Sequence, residues 1–330
     1  MLNVISIGDL INLKIHAPLE TYLDISKRFA NVNKTDYYDF EIYYRNFVDV
    51  PEIKEGIKIL PFRNAMYIVN QIGEKVIAYS PKQKYSCENI VIREANKIDI
   101  LCRNDYNSKV LIRLITELLI RKLIEKRFFP IHASCIMKNG TATLFIGDKN
   151  SGKSTALLTN VLLNDAYPIS NDITFVGKEN SKWQAFGLPY DITFDKDLFC
   201  QLGSQKMNLE TIIKTPKYES NKIRFDVSEF VDVFETNWIW HAPVSTINFV
   251  NLSKEEVFLK IPNIPLKDII LKLDKYGKDK NFSFGDYLRL NNLYPTFEYK
   301  ELSREVQFDI LEGNILKHYL RRKLKWKEYL

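Results

Sequence analysis

The chain has 330 residues, 45% of them hydrophobic and 27% charged, with a formal net charge of +6. This composition excludes a disordered or collagen-like polypeptide and gives enough length for two modest domains. The charge is too mild to imply nucleic acid on its own, and no apolar run approaches membrane-spanning length.

The four cysteines, Cys87, Cys102, Cys135 and Cys200, are scattered, without a C-x-x-C pair or a neighbouring histidine pair. Neither a zinc site nor a disulfide framework is expected, and reduced thiols suit a cytoplasmic protein. The opening MLNVISIGDLINLKIH lacks a basic region ahead of a long apolar core, so no signal peptide is expected.

Residues 1–106 read as a small α+β domain dominated by antiparallel sheet. Leu13–His16 has strand character, and Pro18 fits the first turn of a helix through Phe29. Short strands are expected at Phe40–Phe47, Ile57–Leu60, Ala65–Gln71, Val76–Tyr79, Ile90–Arg93 and Lys97–Cys102, with a turn at Gly73. No chemical constellation stands out, and His16 reads as a histidine packed at a strand end.

The second domain is expected over 107–330. Its first element is a helix, with Val110, Leu111, Leu114, Ile115, Leu118, Leu119 and Leu123 at helical spacing and an end before Pro130. That helix is expected on the sheet of the second domain, with the boundary near Asn104–Ser108. Ile131–Met137 then reads as a strand, Asn139-Gly140 as a type I′ hairpin, and Ala142–Ile146 as a buried strand.

Gly147 to Ser154, GDKNSGKS, matches G-x-x-x-x-G-K-[ST] between that strand and an apolar, helix-compatible run from Ala156 to Leu163. Glycines at 147 and 152 let the chain turn and let backbone N–H groups approach phosphate. A helix starting there points its positive end at the same anion. Gly147, Asp148, Lys149, Asn150, Ser151, Gly152, Lys153, Ser154 and Thr155 are therefore the candidate nucleotide-binding residues. Lys153 has the reach for β/γ-phosphates, Ser154 offers a hydroxyl to Mg²⁺, Thr155 is a reserve hydroxyl, and Lys149 adds positive potential.

Tyr167–Ser170 reads as a strand ending at Asn171-Asp172, and Ile173–Val176 continues it or starts the next. A carboxylate at that strand end, beside the loop, is where Mg²⁺ needs a second protein oxygen, which makes Ser154 and Asp172 the candidate metal ligands. Further on, Trp183–Phe186, Asp191–Phe194 and Val244–Asn251 read as strands. Val227–Phe234 reads as a short helix or strand, and Leu266–Lys275 as a helix. A helix is also expected from Ser303 to about Leu320, although Gly313 interrupts it. The tail KHYLRRKLKWKEYL is basic, a solvated helix end or a docking site for an acidic partner.

These residues resemble the HPr kinase/phosphorylase superfamily, in particular its kinase-like bacterial relatives. The likeness lies in IHAS at 131–134, the hairpin at 139–140, LFIGDKNSGKST at 144–155 and PISNDITFV at 168–176. It continues more loosely through AFGLPYDI at 185–192 and HAPVSTINFV at 241–250. The resemblance implies an α/β (α+β) fold with a mixed sheet and a phosphate-loop core related to phosphoenolpyruvate carboxykinase. It implies ATP and Mg²⁺ as cofactors and phosphoryl transfer to serine of a protein or precursor peptide. By position, Lys153 and Ser154 match nucleotide and metal contacts, and His132 matches a histidine near the active site. Asp172 matches the second of two consecutive aspartates, which bears on Mg²⁺. The first, thought to be the general base, is Asn171 here.

The leading expectation is therefore a hydroxyl kinase with Lys153, Asp172, Asn171 and His132 at its catalytic centre. One alternative is a non-catalytic nucleotide-binding regulatory or scaffold subunit of a peptide-modifying complex, motivated by Asn171. Another is a kinase or NTPase directed at nucleic acid, motivated by the basic tail; nucleic acid is the least favoured partner. No membrane partner is expected, and a homo-oligomer stays open.

Overall fold

The computed structural model describes residues 4–29, 37–47, 57–62, 65–81, 87–103, 108–147, 151–195, 217–219, 222–250 and 316–320. It is a mixed α+β chain with several sheets and few helices. By internal contacts it falls into two compact units that divide between Glu125 and Lys126.

In the first unit, β1 (Val4–Ile7), β2 (Ile11–His16), helix α1 (Leu19–Phe29) and β3 (Phe40–Phe47) come first. They are followed by β4 (Ile57–Phe62), β5 (Ala65–Ile72), β6 (Lys75–Ser80), β7 (Asn89–Glu94), β8 (Lys97–Arg103) and helix α2 (Lys109–Glu125). The strands form one eight-stranded sheet in the order β1-β2-β3-β8-β7-β6-β5-β4. Most of its pairings are antiparallel, but β3–β8 is parallel, and so is β2–β3, whose strands are joined by the α1 crossover. β2 alternates, burying Ile11, Leu13 and Ile15, and Lys14 and His16 lie on its other face. There Glu41 accepts from Lys14 Nζ at 2.7 Å and from the Tyr43 hydroxyl at 3.0 Å, and its Oε1 lies 2.9 Å from His16 Nε2. His16 also stacks on the Tyr43 ring with centroids 4.2 Å apart. It is a packed strand-end histidine, as its sequence setting suggests.

α2 groups with this first unit rather than with the second. Ser108, at its start, bonds Asp24 of α1, and Lys122 pairs with Asp39 at 3.3 Å. Apolar spacing reveals that a helix has a buried face but not which sheet covers it.

The second unit contains β9 (Phe129–Lys138), β10 (Thr141–Ile146), α3 (Lys153–Leu163), β11 (Tyr167–Ser170), β12 (Ile173–Glu179) and β13 (Lys182–Gly187). β14 (Ile192–Asp195), β15 (Lys217–Glu219), β16 (Lys222–Phe225), helix α4 (Val227–Val233), β17 (His241–Val250) and β18 (Leu316–Leu320) follow. The pairings β9–β10, β10–β17, β17–β13, β13–β12 and β12–β9 close on themselves, so these five strands form a ring. Closure is possible because β9 and β17, ten residues each, serve two neighbours along their length. The first half of β9 pairs with β12, and the second half with β10 and β11.

Inside the ring, Ala133, Ala142, Ala185 and Ala242 pack with Ile131, Leu144, Ile146, Val176, Trp183 and Ile247. Small side chains on facing strands let the walls approach. On the outer face, Ile136 and Phe145 pack against Leu157, Leu158 and Val161 of α3. The separate sheet β14-β16-β15 adds Ile192, Phe194, Ile223 and Phe225 to that cluster. α4 starts with a capping box, in which Asp226 accepts from the Glu229 backbone N–H and Glu229 reaches back to Asp226.

Val227–Val233 resolves to helix, while Ile173 opens a new strand after the Asn171-Asp172 turn. The helix expected to end near Leu320 is overturned in its last part. Leu316–Leu320 is a strand, parallel to β17. The open edge of β17 offers backbone partners that helical spacing in the sequence does not reveal. The expected helix at Leu266–Lys275 lies outside the described residues. Among those described, no helix is long and apolar enough to cross a membrane.

Candidate functional site

The site forms where β10 leaves the ring. β10 is central, with β9 antiparallel on one side and β17 parallel on the other, and its last residue, Ile146, is fully buried. Gly147 follows. A Cβ at that position would strike the Ser151 side chain and the carbonyl of Val250, so close approach of the β17 end requires glycine there. The left-handed turn lies instead at Gly152, with φ 97° and ψ 18°, which launches α3 at Lys153. The two glycines are thus needed for different reasons: one for proximity, one for conformation.

Lys153 is the first residue of α3, and its side chain is folded back into the protein, with the residue 7% exposed. Its ammonium donates to the carbonyl of Gly147 at 2.9 Å, which ties the helix start to the strand end. Among the described residues, no side chain caps the N-terminus of α3. The hydroxyl of Ser151, 5% exposed, is buried and finds no hydrogen-bond partner among the described residues. A buried cation, an uncapped helix start and an orphaned hydroxyl fit an anion with several acceptor oxygens. Ser154 and Thr155 lie on the first turn of α3 and are partly exposed. Asp148, Lys149 and Asn150 lie outside the described residues.

Asn171 and Asp172 form the turn between β11 and β12. Asp172 follows from the register, because Ile173, next to it, pairs with His132 of β9. His132 Nε2 lies 2.9 Å from Asp172 Oδ1. The carboxylate side chain is 63% exposed. The hydrogen bond from His132 holds its carboxyl below the ordinary range, against the opposing effect of desolvation, and the charges of His132, Lys153 and Lys222 act in the same direction. Asn171 is 8% exposed, and its side-chain oxygen is buried with no partner among the described residues.

Asp172 is therefore within hydrogen-bond reach of His132 and feels the charge of Lys153. Among the described residues, no group of three or more His, Cys, Asp or Glu side chains could hold a metal. A metal relying on Ser154 and Asp172 would need to fill its shell with water and phosphate oxygens, the habit of Mg²⁺ rather than of Zn²⁺. Cys135, fully buried in the ring, has its thiol pushed up by burial and is chemically quiet. Lys222, at the start of β16, was not legible as a site residue. Nor were Ser134, Ser170 and Thr174, all buried, because serine and threonine carry no signal apart from spacing.

No protein-family model matches this sequence, and no curated protein matches it. Among solved structures, the Hpr(Ser) kinase/phosphatase from Coxiella burnetii is similar at 17% identity and a TM-score of 0.26, over 42% of this chain and 71% of that one. No family is assigned from a likeness at that score.

Proposed function

We propose that this chain is an ATP- and Mg²⁺-dependent kinase that phosphorylates a hydroxyl, a serine of a protein or precursor peptide. The observation that carries the reading is the buried Lys153 ammonium closed onto Gly147 below the uncapped start of α3, beside the orphaned Ser151 hydroxyl. In this reading Lys153 and the amides from Gly147 to Thr155 hold β/γ-phosphates, and Ser154 and Asp172 offer oxygens to Mg²⁺. Bound there, magnesium ATP supplies the phosphoryl group and the metal charge that offsets its negative oxygens. His132, oriented by the Asp172 carboxylate, takes the proton of the acceptor hydroxyl, and the Asn171 amide orients that hydroxyl. The kinase domain in this reading is the span expected at 107–330, of which α2 groups by contacts with the first unit.

The test is incubation of the full chain with γ-labelled ATP and a pool of serine-containing peptides. The reading expects label on serine, lost in Lys153→Ala. Label transfer that survives Lys153→Ala contradicts the mechanism. The amide at Asn171 supports a second reading, a nucleotide-binding subunit without transfer activity. Tight ATP binding with no labelled product, and a large gain of transfer in Asn171→Asp, would favour that second reading.

A further inference from the structure

Three consecutive residues of β9 each hold a different part of the site. His132 bonds Asp172. The carbonyl of Ala133 accepts from Thr174 Oγ1 at 3.0 Å, and the Ser170 hydroxyl, 3.5 Å from that carbonyl, is bonded to the Thr174 hydroxyl. Ser134 Oγ donates to the carbonyl of Lys153 at 2.8 Å.

Strand geometry explains the division. Alternation sends Ala133 into the ring core with Ile131 and Cys135, and sends Ser134 to the side of Ile136, where α3 packs. At Ala133, β9 changes partners: His132 pairs with Ile173 of β12, and Cys135 pairs with Ser170 of β11. The ladder is interrupted where Asn171 and Asp172 turn away, and the Thr174 hydroxyl, itself bonded to Ser170, satisfies the buried Ala133 carbonyl. Ser134, Ser170 and Thr174 are all fully buried polar residues. A hydroxyl there is costly to bury and does nothing for packing that alanine or valine would not do.

We propose that Ser134 and Thr174 are positioning residues, Ser134 for Lys153 and Thr174 for Asp172, with β9 as the common rail that sets the phosphate-binding lysine against the metal-binding carboxylate. This rests on the kinase reading. Ser134 acts on Lys153, which would meet the nucleotide with or without metal. Thr174 acts on Asp172, which would matter only when metal is present. A general loss of stability would not separate the two.

The experiment is titration calorimetry of the full chain with ATP in EDTA and with ATP in excess Mg²⁺, alongside thermal melting. Ser134→Ala is expected to weaken ATP binding about tenfold in both conditions, the effect of losing one well-placed hydrogen bond. Thr174→Val is expected to leave metal-free binding within about twofold and to cut the gain from Mg²⁺ at least about fivefold. Thr174→Ser, which keeps the hydroxyl, restores the gain. If Ser134→Ala does not fold, Ser134→Cys keeps the volume with a weaker donor and shows a smaller shift in the same direction. Parallel losses in both conditions for both variants, tracking their melting temperatures, overturn the proposal. So do two variants that bind as the wild type does while the wild type responds to Mg²⁺. Absence of ATP binding by the wild type overturns the kinase reading as well.

Discussion

The imidazole of His132 and the carboxylate of Asp172 meet at 2.9 Å across the boundary between β9 and β12. The hydrogen bond holds the carboxyl below its ordinary range and leaves the acidic side chain largely open to solvent. Asp172→Asn keeps the shape but removes the charge that would attract a divalent cation. Metal-free ATP binding is expected to stay within about threefold, while the Mg²⁺-dependent gain disappears and serine phosphorylation falls at least about a hundredfold. Calorimetry with and without Mg²⁺, together with label transfer, checks both parts.

Two glycines in one hairpin-and-loop segment provide an internal control. Gly140 has φ 74° and open space around its Cβ position, whereas Gly147 faces the Ser151 side chain and the Val250 carbonyl. Gly140→Ala is expected to cost about 1 kcal/mol in conformational strain with ATP binding unchanged. Gly147→Ala forces backbone apart and is expected to cost about 1–3 kcal/mol and to weaken ATP binding as well. Urea unfolding and calorimetry on the two variants separate the effects.

The first unit carries a pH-dependent contribution. Hydrogen bonds from Lys14, then His16 and Tyr43, bring the carboxyl of Glu41 down to about 2, from an unfolded value near 4.5. A depressed acid stabilises the fold above its unfolded pKa and loses that contribution as the pH falls through its folded pKa. Glu41→Gln is therefore expected to lower the urea midpoint most above about pH 4.5, with the difference from wild type shrinking towards pH 2. A difference independent of pH between 6 and 2 would contradict this.

What the sequence reveals of this molecule is mostly local. Asn139 and Gly140 both adopt positive φ, 52° and 74°, as an Asn-Gly hairpin demands, and β9, β10 and α3 follow from short-range pattern. Lys153 and Asp172 are candidates because their residue types and spacing suit phosphate chemistry, whereas His132 is a candidate only through the family resemblance. Long-range pairing was not legible. Nothing in Thr143 or Phe145 announces that Thr246 and Asn248 lie parallel beside them, or that Leu316–Leu320 extends the same sheet. The hydroxyls of Ser134 and Thr174 were hidden for the same reason, since their meaning depends on which carbonyl the fold brings to them.

The central claim is that the segment from Gly147 to Thr155, with its buried lysine, grips a triphosphate. Titration of ATP with Mg²⁺ into the full chain, set beside the same titration into Lys153→Ala, tests it most directly. Saturable one-to-one binding is expected, weakened at least about tenfold in the variant. Heats indistinguishable from dilution for the wild type, or equal affinity in Lys153→Ala, would contradict it.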